Sequence, residues 1–461
     1  MLFLERFIGK LFSKFKKAAP RFELGIKDLQ SSALPLGHAA DKQFKYTSND
    51  PTSKEPHSLL IICNGHGEDV IALEIIKRFL ISKKFKTIEV MPLVGDGYIF
   101  DTLINKDFKK IGHLKVLPSG GFSNQSLINL VLDLRAGMLI EGIRNLKITR
   151  SKSKEKYKIL AIGDFLPLFF AWSSKCNFGF IGTPKSDYTW SSGPGFSLSD
   201  LYHKLKGSEW DPWEIFIMKN IRCKAVIMRD AITANNLNKK NVNAKFLGNP
   251  MMDFIDNDSI DFNQEEIYQK IILLIGSRYP EALNNFESFL SCLIQLKTNK
   301  KYLILLPLTF NANLKQIESL LDVYKFIKDE KRDFSLGEEI CWRNNNLFLL
   351  IGLGKFNSWV RFADVGLSNA GTATEQIAGL GIPSLSLPGK GPQFTKSFAI
   401  RQQRLLGGSV QVCNNKKKLM QKLYVLLDNE KARNDQAEAG KSRMGNSGGS
   451  AKIVDYINSK L

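Results

Sequence analysis

Residues 364–383 read DVGLSNAGTATEQIAGLGIP, and this stretch carries the strongest indication of the fold. Its pattern predicts a buried strand over 364–367, a glycine turn around Gly371 and a short helix. Gly381 is placed to end that helix, and Pro383 comes just before the next predicted strand. A strand that turns through glycine into a helix is the repeating unit of parallel α/β folds, and the helix N-terminus offers N–H groups to a phosphate.

The same alternation of short apolar strands with helices extends on both sides of this stretch. We predict strands at 59–63, 88–93, 158–162, 178–182, 225–229, 245–247, 271–275, 302–306, 347–351, 364–367, 384–387 and 409–412. Helical segments between most of them predict parallel sheets in two doubly wound domains that face a central cleft. The predicted divisions are an arm and linker (1–57), a first domain (58–250) and a second domain (251–461).

Composition excludes several classes of protein. Hydrophobic residues make up 43% of the 461 residues and charged residues 24%, which is typical of a folded globular chain. No apolar run is long enough to span a membrane. The six cysteines are far apart and form no CxxC pair, so local spacing predicts no zinc site, and reduced thiols in a cytosolic protein are expected.

The net charge of +20 favours anionic partners. Nucleic acid, anionic lipid headgroups and phosphorylated small molecules all fit such a surface, and simple solubility is the alternative. Residues 1–21, MLFLERFIGKLFSKFKKAAPR, place apolar residues at helical spacing between basic ones. This pattern predicts a helix that lies on an anionic membrane, with a transit-like leader or a helix docked on the protein itself as alternatives.

Two motifs in the first domain carry ionisable groups after predicted strands. Residues 64–69, NGHGED, combine a glycine turn with potential acid–base groups at the start of a helix, and a plain capped turn is the alternative. Asp164, in the tripeptide 163–165, is a general base, a sugar-hydroxyl acceptor or a helix N-cap. The candidate catalytic residues are Asp164, Glu68 and His66, and the candidate substrate-binding residues of the first turn are Asn64, Gly65 and Gly67.

The second domain carries candidate phosphate and ribose contacts. Residues 276–278, GSR, combine a turn, a hydroxyl and a guanidinium, which together suit a phosphate. The turn 371–374 adds helix N–H groups that suit a pyrophosphate. The next two side chains, Glu375 and Gln376, are within reach of ribose hydroxyls. Residues 388–395 form a glycine-rich loop. The candidate substrate-binding residues here are Gly276, Ser277, Arg278, Gly371, Thr372, Thr374, Glu375, Gln376, Lys390 and Gln393.

Over residues 58–461 these motifs resemble the GT-B glycosyltransferases, and specifically the lipid-A-disaccharide synthase-related proteins of cyanobacteria. The matching segments are the tripeptides 163–165 and 276–278, the stretch FLGNPMMD at 246–253, the turn 371–374 and RMGNSGGS at 443–450. Two departures stand out. The ribose-binding glutamate of the family falls on Gln376, with Glu375 one residue earlier, and the first loop has a histidine and lacks the family's serine.

The resemblance implies a metal-independent hexosyltransferase that needs no cofactor and moves a sugar from a UDP-sugar to a lipid acceptor. It also implies a terminal helix (450–461) that packs back on the first domain. Together with the basic arm, it predicts a peripheral protein on the cytoplasmic face of the membrane, with no nucleic-acid partner. A UDP-sugar 2-epimerase of the same fold and a non-enzymatic lipid-binding or nucleic-acid-binding protein on this scaffold are the alternatives.

Overall fold

The computed structural model describes residues 57–65, 67–112, 138–192, 198–254, 268–297, 299–310, 312–330, 334, 336, 339–389 and 394–461. Predictions for the arm at 1–56, for His66, and for Lys390 and Gln393 concern residues outside these ranges. Among the described helices, none is both long enough and apolar enough to cross a bilayer.

The first half of the chain forms a seven-stranded sheet in which every pair of neighbours is parallel. Its strands are β1 (Leu59–Cys63), β2 (Ile88–Pro92), β3 (Phe108–Lys110), β4 (Lys158–Gly163), β5 (Phe178–Gly182), β6 (Cys223–Met228) and β7 (Ala244–Lys245). Their order is β3-β2-β1-β4-β5-β6-β7, so the chain winds outward from β1 in both directions. Strand β3 was not predicted from the sequence, because its three residues carry no apolar run.

Helices cover both faces of this sheet. They are α1 (Gly67–Ser82), α2 (Met138–Ser151), α3 (Phe165–Ser173), α4 (Tyr188–Ser191), α5 (Leu198–Lys206), α6 (Pro212–Met218) and α7 (Ala231–Asn238). Alternate residues of β1 enter two different cores: Leu59 and Ile61 pack in one, and Leu60 and Ile62 in the other. This is why β1 is a continuous apolar run, as expected for a parallel strand buried on both sides.

The second half forms an eight-stranded sheet, ordered β10-β11-β12-β9-β8-β13-β14-β15. Its strands are β8 (Tyr268–Leu274), β9 (Lys301–Leu308), β10 (Ile327–Lys328), β11 (Ile340–Asn344), β12 (Leu347–Leu353), β13 (Val365–Ser368), β14 (Ser384–Ser386) and β15 (Val410–Val412). The prediction of an all-parallel sheet is wrong at one edge, where β10, β11 and β12 are antiparallel. Asn345, with φ 51, and Asn346 form a tight turn that sends the chain directly back.

The second half contains eight α-helices among its described residues, and the last of them packs back on the first domain. They are α8 (Glu281–Leu293), α9 (Leu314–Val323), α10 (Phe356–Trp359), α11 (Thr372–Gly379), α12 (Lys396–Leu405), α13 (Lys416–Asp428), α14 (Glu430–Met444) and α15 (Gly449–Lys460). Helix α14 packs on α11, and α15 packs on α1 and β6. The predicted return of the terminal helix is therefore confirmed.

Asp253 fixes the point at which the chain returns. Its carboxylate accepts hydrogen bonds from the backbone N–H groups of Gly448 and Ser450, at the start of α15. A Cβ atom at Gly449 would lie 2.9 Å from the backbone of Gly248, so the two chain segments touch where they cross. The aspartate acts as a helix cap supplied from the other side of the crossing.

Candidate active site

The turn after β1 brings the chain to the carboxyl edge of the first sheet. Gly65 has φ 105, and a Cβ atom there would lie 2.4 Å from the carbonyl oxygen of Val94, so only glycine fits. The Asn64 side chain is buried against Gly163, and its Oδ1 has no hydrogen-bond partner among the described residues. The turn therefore leaves a polar acceptor atom at the end of β1.

Glu68 lies in the first turn of α1 and is half-buried. Burial, followed by the negative charge of Asp164, raises the pKa of the Glu68 carboxyl to about 7. Thr183, at the end of β5, donates a hydrogen bond from Oγ1 to Glu68 Oε1 over 3.2 Å, which opposes that rise. A carboxyl group that titrates near neutral pH is suited to general acid–base catalysis.

Asp164 serves as the N-cap of α3. Its Oδ1 accepts a hydrogen bond from Leu166 N over 3.1 Å, so the capping interpretation left open by the sequence is realised. The residue is only partly buried, and its charge acts on Glu68. Asp164 and Glu68 are thus brought to the same edge of the sheet by β4 and α1.

Arg229, which sequence reasoning missed, joins this edge to the second half of the molecule. It follows β6 directly and is buried. Its Nη1 donates to the carbonyl oxygen of Thr183 over 3.1 Å, and its Nη2 donates to Glu375 Oε2 over 2.7 Å. Burial lowers the pKa of Arg229, but the charge and hydrogen bond of Glu375, together with the charges of Asp230 and Glu68, more than offset it. The pKa is therefore raised, and the guanidinium stays charged. Its position as the last residue of the predicted strand 225–229 was the one available signal.

The segment 276–278 follows β8 at the carboxyl edge of the second sheet. The hydroxyl of Ser277 is buried, and no described residue hydrogen bonds to it. Burial lowers the pKa of the Arg278 guanidinium to about 10, although the charge of Glu281 opposes this. A half-buried cation beside an unused hydroxyl is a site where an anion gains from both Coulomb attraction and hydrogen bonds.

Side-chain hydrogen bonds to backbone carbonyl oxygens stabilise the turn around Gly371. Gln402 Nε2 donates to the carbonyl oxygens of Ala370 and Gly371 over 3.2 and 3.1 Å. Thr374 Oγ1 donates to Ala370 O over 2.6 Å and lies 2.5 Å from the hydroxyl of Ser368. The Thr374 hydroxyl is therefore used inside the turn, and α11 begins at Thr372 with its first-turn N–H groups at this edge.

Glu375 and Gln376, between which the sequence did not decide, take different places. Glu375 pairs with Arg229 of the first half, where the two carboxyl edges meet. Gln376 is fully buried, and its Nε2 donates to Met251 O over 3.1 Å at the chain crossing. Glu375 is thus the member of the pair that lies next to the first sheet's ionisable groups.

Helix α12 adds a second bridge between the two halves. Arg401 Nη2 lies 2.5 Å from Glu209 Oε1, and Arg404 Nη1 lies 2.6 Å from Asp200 Oδ1. These partners belong to the segment between β5 and β6. Helix α12, which follows the predicted loop 388–395, is thereby anchored against the first half.

Comparison with solved structures identifies the architecture. The calicheamicin glycosyltransferase CalG4 matches with a TM-score of 0.55 at 11% identity, covering 88% of this chain and 99% of that chain. The glycosyltransferase of kitacinnamycin matches with a TM-score of 0.54 at 12% identity, over 88% of this chain and 100% of that chain. A UDP-GlcNAc 2-epimerase from Neisseria meningitidis, solved with UDP-GlcNAc bound, matches with a TM-score of 0.52 at 14% identity, over 87% and 100%.

No protein-family model and no curated protein matches the chain. The structural likenesses nevertheless cover 87% to 88% of the chain. Together with the two sheets, they show that the chain has the GT-B fold, with two Rossmann-like domains, and the predicted fold class is confirmed.

Proposed function

We propose that this chain is a glycosyltransferase that moves a sugar from a UDP-sugar to a hydroxyl group of a lipid or lipid-linked acceptor. One observation carries the proposal: the Glu68 carboxyl, with its pKa near 7, is linked through Thr183 and Arg229 to Glu375, beside the glycine turn of the second domain. A group able to take a proton is thereby joined to the carboxylate that we propose holds the ribose.

In the proposed reaction Glu68 is the general base. Its carboxylate takes the proton of the acceptor hydroxyl as that oxygen forms a bond to the anomeric carbon of the sugar. The bond from the anomeric carbon to the diphosphate oxygen breaks, and its electron pair leaves with UDP. Burial, and after it the negative charge of Asp164, keeps the pKa of Glu68 high, so that the carboxylate is a stronger base than an exposed glutamate.

The second domain is proposed to hold the donor. The Arg278 guanidinium, the Ser277 hydroxyl and the N–H groups at the start of α11 would offset the negative charge that develops on the leaving diphosphate. The Glu375 carboxylate would accept hydrogen bonds from the ribose hydroxyls. Charge stabilisation by these groups makes a metal-independent mechanism our expectation, and added chelator is expected to leave the rate unchanged.

The lipid acceptor and the membrane location rest on sequence. The net charge of +20 and the basic amphipathic segment 1–21 favour an anionic membrane surface, which we propose is the cytoplasmic face. The resemblance to lipid-A-disaccharide synthase-related proteins points the same way. The proposed acceptor is accordingly a lipid-linked hydroxyl and not a soluble sugar.

A UDP-sugar 2-epimerase is the second candidate, because an epimerase bound to UDP-GlcNAc shares this fold. The two reactions differ in their products. We would incubate the full chain with radiolabelled UDP-GlcNAc and a bacterial lipid extract, and separate organic-phase products from nucleotide sugars.

Label in the organic phase, absent with Glu68→Gln and present with Glu74→Gln on the same helix, supports the transferase. Label in a 2-epimer of the nucleotide sugar supports the epimerase. If UDP-GlcNAc and other UDP-sugars yield neither product, both candidates fail.

A further inference from the structure

Four residues from four different elements form one continuous chain of hydrogen bonds across the junction of the two domains. Glu68 accepts from Thr183 Oγ1, the Thr183 carbonyl accepts from Arg229 Nη1, and Arg229 Nη2 pairs with Glu375. Thr183 bonds Glu68 through its hydroxyl and Arg229 through its carbonyl, so it connects the two residues. Only Glu68 and Glu375 were candidates from the sequence.

We propose that Arg229 and Thr183 are positioning residues that hold the base of the first domain and the ribose-binding carboxylate of the second in one fixed relation. This inference rests on the proposed function, since it assigns Glu68 and Glu375 the roles given above. The two positioning residues touch neither substrate in the proposal. They act through the two glutamates.

The geometry explains why an arginine stands at 229. Its planar guanidinium donates in two directions at once, to a carbonyl on one side and a carboxylate on the other, which a single ammonium group matches poorly. The side chain is buried, so both hydrogen bonds are shielded from water. A buried charge of this kind is strongly destabilising when its partner is removed, and the ion pair therefore fixes the two edges firmly.

The electrostatic surroundings of Glu68 determine what each variant does. Burial raises the pKa of Glu68 most, the charges of Asp164 at the N-cap of α3 and Asp69 on α1 raise it further, and the hydroxyl of Thr183 lowers it. The charge of Arg229 interacts with that of Glu68, and the buried thiol of Cys63 at the end of β1 lies near it as well. Removing either positioning residue removes a group that favours the ionised carboxylate, so the Glu68 titration midpoint moves upward.

The central test is the Thr183→Val variant, which deletes the hydroxyl and keeps the carbonyl bonded to Arg229. The Glu68 titration is read from its carboxyl ¹³C chemical shift in full-length protein labelled at glutamate, assigned by difference with Glu68→Gln. We expect the midpoint to rise by about half a unit to one unit, the size of one net hydrogen bond. The matched control, Thr149→Val, deletes a buried threonine hydroxyl on α2 and is expected to leave it unchanged.

Steady-state kinetics of the same variants provide a second test. Thr183→Val is expected to move the acidic limb of the kcat–pH profile upward and to change the KM for the UDP-sugar less than twofold. Arg229→Met is expected to move that limb and also raise the donor KM, because Glu375 loses its partner. Arg229→Lys keeps the positive charge and is expected to recover part of both effects.

An unchanged Glu68 midpoint in folded Thr183→Val protein would overturn the proposal, whether or not Arg229→Met folds. A wild-type protein that binds no UDP would instead contradict the proposed function. The carboxyl titration remains readable in that case, so the two failures are distinguishable.

Discussion

The turn after β1 and the turn after β13 have the same plan, in which a buried strand passes through glycine into a helix at a carboxyl edge. Their side chains differ. The first turn places Glu68 beside Asp164, while the second has its Thr374 hydroxyl turned inward and lies near Ser277 and Arg278 across the edge. One backbone plan thus carries the Glu68 and Asp164 carboxyl groups at one edge, here called the acidic edge, and the Arg278 guanidinium at the other, here called the cationic edge. We propose that the first takes a proton and the second binds a diphosphate.

The largest expected effect comes from removing the base at the acidic edge. Glu68→Gln keeps the shape of the side chain and abolishes its ability to take a proton, so we expect kcat to fall about 10²- to 10⁴-fold. UDP affinity is expected to stay within about twofold, because the donor lies at the other edge. Turnover by Glu68→Gln at the wild-type rate would mean that the acidic edge does not act as proposed.

At the cationic edge the corresponding change is Arg278→Ala. Loss of a charge-assisted contact to a phosphate is expected to weaken UDP binding about 10- to 100-fold, measured by calorimetry. Arg343→Ala, a β-hairpin arginine that bonds the carbonyl of Asn345, is the control and is expected to bind normally. Equal affinities for the two variants would remove Arg278 from the donor site.

The contact that holds the crossing of the chain is a smaller and purely structural target. Asp253→Ala removes the carboxylate that caps α15, and we expect the free energy of unfolding to fall by about 1–2 kcal/mol in denaturant titrations. Asp455→Ala, on the same helix, serves as the control. An unchanged denaturation midpoint for Asp253→Ala would show that the cap does not stabilise the return.

The stability of the folded protein is expected to depend on pH through the Glu68 carboxyl. The pKa of Glu68 is raised to about 7 from 4.5, so the folded state holds this proton more tightly than the unfolded chain. Its contribution to stability is therefore fully present below about pH 4.5 and is lost as pH rises through about 7. Glu68→Gln is expected to be relatively more stable than the wild type at pH 8 than at pH 4.5. A difference in stability between the two proteins that does not vary with pH would contradict this.

The sequence predicted the parts of the fold that follow from hydrophobic pattern and glycine punctuation. β1 and β5 were predicted with the bounds observed, because each is an apolar run buried on both faces. Strand β12 was predicted at 347–351, whereas its hairpin partner β11, with the sequence ICWRN, was missed because it is only partly buried and has no continuous apolar run. The local hydrophobic pattern therefore predicts the bounds of a strand well only where the strand is fully buried.

The site was harder to predict, since its decisive contacts join residues that are distant in sequence. Glu68 was a candidate because of its neighbouring glycines, whereas its link to Thr183 spans 115 positions and that of Arg229 to Glu375 spans 146. The first pair is specified by packing within the first domain and the second by the packing of the two domains, and neither leaves a local periodicity. Domain packing also places Glu375 beside Arg229 and Gln376 against Met251, a difference that the sequence alone did not show.

The central claim is that the second domain binds the nucleotide of a UDP-sugar, and calorimetric titration of the purified full chain with UDP tests it most directly. ADP and GDP are the controls, and Arg278→Ala is titrated alongside. The account predicts saturable binding of UDP, much weaker binding of ADP and GDP, and a marked loss of affinity in the variant. Binding of no nucleotide, or equal binding of all three, would contradict it.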